Sequence, residues 1–124
     1  MIKSWTYKNE YKILRKSILK SVDKSLKSGQ IFFGKEINKL EKNFNKKYKF
    51  KFGVAVGSGT DALYISMLAL GIGKGDEIIT VSNTAIPTIS AIISTGATPV
   101  FVDVSKDYLI DTKKMTAAIT KKTK

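Results

Sequence analysis

The chain has 124 residues, 43% of them hydrophobic and 10% aromatic, enough apolar side chains for one domain with a core and too many for a chain that stays disordered. It contains no cysteine and no histidine, which excludes disulfides, thiolate nucleophiles, imidazole bases and the usual zinc ligands, so any chemistry must use hydroxyls, amines, carboxylates or backbone groups. The net charge of +12 is concentrated in residues 1–51, which hold 15 Lys/Arg against 4 Asp/Glu, whereas residues 52–112 are net acidic.

In chain order, Lys8 to Leu26 places Tyr11, Leu14, Ile18, Val22 and Leu26 at helical spacing, and Gly29 after Ser28 is a stop signal. Lys35 to Tyr48 repeats the pattern with Ile37, Leu40, Phe44 and Tyr48, so both helices are expected to turn an apolar face toward a core. The lysines fall on the opposite faces. They are read as solvated residues and not as a nucleic-acid footprint, although a basic nucleic-acid-binding module is the non-enzymatic alternative.

From Phe52 the texture changes to short apolar runs separated by glycine. Gly53 to Val56 reads as a buried strand, Asp61 to Leu70 as a helix, Glu77 to Val81 as a strand, Ile86 to Ser94 as a helix capped by Ser82-Asn83-Thr84, and Pro99 to Val104 as a third strand. Asp111 or Thr112 is expected to cap a last helix running through Met115 and Ile119. This alternation predicts an α/β fold: N-terminal helices over residues 1–51, then, over residues 52–124, a mainly parallel sheet with crossover helices. No apolar run reaches the roughly 18 residues that span a bilayer, and no apolar leader with a small-residue cleavage site is seen, so a cytoplasmic protein without membrane partners is expected.

Gly57-Ser58-Gly59-Thr60 lies between a predicted strand and a predicted helix, where open α/β sheets place their ligands. Glycines allow close backbone approach, the helix start offers unpaired N–H groups and a positive dipole end, and Ser58 and Thr60 add hydroxyls. The loop is suited to a phosphate; equally, the glycines could only shape a turn and Thr60 only cap the helix. A nucleotide P-loop is excluded, because no Gly-Lys-Ser/Thr triplet enters the helix. Gly57 to Ala62 formally fits the dinucleotide fingerprint, but the acidic residue at the expected distance, Glu77, begins its strand instead of ending it.

Together with this loop, an ordered set of residues resembles the DegT/DnrJ/EryC1/StrS sugar aminotransferases among the fold-type I pyridoxal-phosphate (PLP) enzymes. It runs through Trp5, Tyr7 and Glu10; Ser28, Gly29, Gly34 and Glu41; Val56 to Leu63; Ala69 to Gly71, Gly73 and Gly75 to Glu77; Asn83 and Thr84; Gly96, Ala97, Pro99 and Phe101 to Asp103; and Ile110, Asp111 and Ala118 to Thr120. The resemblance implies that Ser58, Gly59 and Thr60 hold the cofactor phosphate and that Asn83 to Thr88 passes over the pyridine ring. Ala85 stands where family members commonly carry a stacking aromatic.

The resemblance further implies amino transfer from glutamate to a nucleotide-linked ketosugar by a homodimer, for O-antigen, glycan or antibiotic-sugar synthesis. None of the lysines matches the family's Schiff-base lysine. The chain is therefore expected to be the N-terminal part of such an enzyme, inactive alone, with no catalytic residue or metal ligand assigned within it. A fragment of a nicotinamide-dependent oxidoreductase is the enzymatic alternative.

Overall fold

The computed structural model describes residues 5–124; residues 1–4, the start of the 1–51 segment, lie outside the described residues. Two compact units divide between Ala55 and Val56.

The first unit contains α1 (Lys8–Lys27) and α2 (Lys35–Tyr48). Helix α1 stops where expected: Gly29 adopts φ +67° and donates its N–H to the Leu26 carbonyl at 3.1 Å, a left-handed turn that glycine enters without Cβ strain. Helix α2 ends at Lys49, also left-handed at φ +58°, where the Phe50 N–H reaches the Asn45 carbonyl at 2.9 Å. That reversal gathers Phe44, Tyr48 and Phe50, with ring centroids 4.6 to 6.3 Å apart. Between the helices, the Glu36 carboxylate takes Lys39 at 3.1 Å and Lys24 at 3.4 Å. The Lys39 ammonium first, then Lys24, holds Glu36 below the usual carboxylate range.

Two expectations for this region are corrected. Neither helix buries a residue, so neither stripe forms the core expected of it. Periodicity identifies an apolar face but does not say what packs on it. Gly53 to Val56 is not a buried strand either: it is irregular, and Val54 is 82% exposed. A strand exists only where a neighbour satisfies its N–H and C=O groups. Among the described residues the Ala55 N–H is taken instead by Glu41 Oε1 at 2.8 Å.

The second unit contains α3 (Gly59–Ala69), β1 (Glu77–Val81), α4 (Ile86–Ser94), β2 (Thr98–Val102) and α5 (Thr112–Ala117). β1 and β2 pair in parallel, Glu77 against Thr98 through Val81 against Val102, with α4 as the crossover. Both α3 and α4 have high apolar content, and they pack on one another over a small core of Ile72, Ile92 and Ala97, with Met67 and Ile78 against it. β2 is shorter than expected because Val104 leaves the ladder to bridge Ile110, closing a turn in which Tyr108 adopts φ +63°. Helix α5 ends at Ala117, before Ile119; its N-cap is Asp111, which accepts from Lys113 N at 3.0 Å and Lys114 N at 3.2 Å. Lys114 also bonds Asp103 at 3.1 Å and, with the Val104 N–H, lowers the Asp103 carboxyl pKa.

Beyond α5 the chain returns to β1. The Glu77 N–H donates to the Lys122 carbonyl at 2.9 Å and its carbonyl accepts from Lys124 at 3.1 Å, a parallel bridge to Thr123 on the edge of β1 away from β2. No helix of the described residues is long and apolar enough to cross a membrane.

The turn at the end of α4 offers a stability test. Gly96 has φ +86°, and a Cβ there would meet Lys74 N at 3.4 Å, an ordinary contact, so the strain of Gly96→Ala comes from its left-handed backbone. We expect a loss of about 1–3 kcal/mol, read as a lower urea midpoint; an unchanged midpoint would show that the turn relaxes freely.

Candidate functional site

The Gly57–Thr60 loop opens α3. Ser58 is the N-cap in extended conformation; its carbonyl accepts the first helical bond from Ala62 N at 3.0 Å, and its Oγ accepts from Asp61 N at 3.1 Å. Capping thus falls to Ser58 and leaves Thr60 without that duty. Among the described residues, the N–H groups of Gly59 and Thr60 and the Thr60 hydroxyl have no protein partner. Nothing lies within 4 Å of the position a Cβ would take on Gly59, so a ligand can approach the backbone there. Two free amides, two hydroxyls and a helix dipole over an eleven-residue helix suit an anion with several oxygens. These residues fit the phosphate of PLP.

Ala85 is the N-cap of α4, exposed, with no side-chain capping bond. The expected cap by Ser82-Asn83-Thr84 is corrected: the Thr84 hydroxyl pairs with that of Thr88 at 3.0 Å, and the Thr88 N–H closes on the Ala85 carbonyl at 3.0 Å. A cavity of about 140 Å³ is lined by Leu63 near the start of α3, Thr88 near the start of α4, and Ile78 to Thr80 of β1. Met67 and Ile92 complete its lining, so the cleft runs between the bodies of α3 and α4 against β1. Ser58, Gly59 and Thr60 open α3, and Ala85 opens α4 after the end of β1.

Glu77 lies at the other end of β1, where its Oε2 accepts from the Thr120 hydroxyl at 2.5 Å. It is occupied and remote from the loop, which argues against the dinucleotide reading.

Ser58-x-x-Asp61 has the spacing of a capping box. The Asp61 carboxylate reaches back over the loop, so that a Cβ on Gly57 would stand 2.9 Å from Oδ2. The carboxylates whose pKa values are lowered, Glu36, Asp103 and Asp107, lie in other parts of the chain.

A parallel α/β layer with a glycine-rich helix start belongs to the class of folds that bind ligands at the carboxyl edge of the sheet. More particularly, the chain belongs to the DegT/DnrJ/EryC1/StrS aminotransferase family, whose model matches residues 12–124. It is 41% identical over 121 residues to a dTDP-3-amino-3,4,6-trideoxy-alpha-D-glucose transaminase of Micromonospora megalomicea subsp. nigra, covering 97% of this chain and 32% of that protein. Its fold is similar to DesV of S. venezuelae, with TM-score 0.90 and 36% identity over 96% of this chain and 32% of that one. It is also similar to NtdA of Bacillus subtilis, solved with bound cofactor PMP, with TM-score 0.84 and 34% identity over 88% of this chain and 25% of that one. The chain spans about a third of the length of the curated relatives it matches.

Proposed function

We propose that this chain supplies the cofactor-phosphate cup of a PLP-dependent sugar aminotransferase. Residues 1–51 are its helical segment and residues 52–124 the first part of its PLP-binding α/β domain. The observation that carries the reading is the pair of free amides at Gly59 and Thr60, flanked by the Ser58 and Thr60 hydroxyls at the start of α3. The whole enzyme would act in the cytoplasm as a homodimer, moving an amino group from glutamate to a nucleotide-linked ketosugar.

PLP would supply the electron sink for amino transfer, and Ser58, Gly59 and Thr60 would hold its phosphate. Ala85 carries only a methyl group, so it covers less of a ring face than the family's aromatic would. No lysine of these 124 residues matches the Schiff-base position, and amino transfer is not expected from them alone.

The test uses pyridoxine 5′-phosphate, which lacks the aldehyde and cannot react with the many surface lysines. Titrated against the chain, it should broaden and shift the phosphorus NMR signal, while NAD at the same concentration causes no shift and unphosphorylated pyridoxine does not compete. Competition by pyridoxine equal to that by its phosphate, or tighter binding of NAD, would refute the phosphate-cup reading.

A further inference from the structure

Asp61 is an acidic residue in the first turn of the helix that the proposed anion cup opens. It occupies the first turn of α3, its N–H is held by Ser58 Oγ at 3.1 Å, and its carboxylate lies against Gly57. No cation among the described residues pairs with it. A carboxylate in the first helical turn is favoured by the helix dipole, which also favours a phosphate there. The carboxylate and a phosphate therefore compete for one positive helix end, and they repel each other.

We propose that Asp61 is an intrinsic counter-charge of the phosphate cup: it stabilises the start of α3 when no anion is bound and lowers the cup's affinity for a phosphate dianion. This rests on the reading of Ser58 to Thr60 as that cup. The role is one of positioning and charge, with no part in the chemistry of amino transfer.

The two consequences have opposite signs, which separates this role from a merely structural one. Removing the charge while keeping the shape, in Asp61→Asn, weakens the helix start but strengthens anion binding. A side chain that only held the loop together would, on removal, weaken both. A unit charge acting through water on a dianion a few ångströms away changes its affinity by roughly threefold to tenfold.

The experiment measures dissociation constants of pyridoxine 5′-phosphate for the unaltered chain, Asp61→Asn and Thr60→Val by phosphorus NMR, at about 50 mM and about 1 M NaCl. Asp61→Asn is expected to bind threefold to tenfold more tightly at low salt, with less than a twofold difference at high salt, where the Debye length falls to about 3 Å. Asp61→Gln should move in the same direction, which guards against one variant misfolding. Equal or weaker binding by both Asp61 variants, with Thr60→Val weakened, overturns the counter-charge role and leaves the cup reading intact. Unchanged binding by Thr60→Val overturns the cup reading, and the role of Asp61 with it.

Discussion

Thr60→Val is expected to weaken binding of pyridoxine 5′-phosphate roughly tenfold to a hundredfold. The valine keeps the shape and branching of threonine but deletes a hydroxyl that has no partner among the described residues and sits beside the free amides of Gly59 and Thr60. A hydrogen bond to a charged oxygen contributes about 1.5–3 kcal/mol, and each 1.4 kcal/mol is a factor of ten. Ser58 already caps the helix through its Oγ, so the substitution leaves α3 intact and its effect can be read as a ligand effect. Far-ultraviolet circular dichroism should be unchanged. An unaltered dissociation constant would mean that the amides alone hold the phosphate, or that the phosphate binds elsewhere.

A second large effect concerns the free chain in solution. Phe33 is 93% exposed, Phe32 81%, Ile13 80% and Ile86 80%, and among the described residues the buried apolar core is limited to a few side chains of the second unit. Exposed apolar surface on this scale is driven to associate, at about 25 cal/mol for each Å² removed from water. The edge of β2 away from β1 adds unpaired backbone groups. The 124-residue chain should therefore sediment as concentration-dependent oligomers and bring up the fluorescence of a hydrophobic dye, and its association should strengthen with sulfate salts. The net charge of +12 opposes this at low ionic strength, so raising salt should favour association by screening as well. A single monomeric species that leaves the dye dark would show that these side chains are covered within one chain.

Several elements were legible from residues alone because their causes are local. Helix α2 spans the residues its periodicity marks out, Lys35 to Tyr48, and α4 likewise spans Ile86 to Ser94. Gly29 and Gly96 end helices because positive φ costs glycine least, and Asp111 caps α5 because a short carboxylate reaches the N–H groups two and three residues on. The class of the fold followed from strand and helix alternation, and the family from an ordered motif set that the match over residues 12–124 bears out.

What residues alone could not decide depends on neighbours distant in sequence. Gly53 to Val56 has the composition of a buried strand, yet composition supplies no partner edge, and here Glu41 takes the Ala55 N–H instead. The stripes of α1 and α2 have helical spacing, yet spacing does not say what lies against them. The placement of Asp61 over Gly57, and the packing of α3 against α4 along one cleft beside β1, came only with the tertiary structure. The division has one physical reason: caps, turns and helical faces are satisfied within a few residues along the chain, whereas strand pairing, burial and the meeting of two helix ends need surfaces that the intervening sequence must fold back to provide.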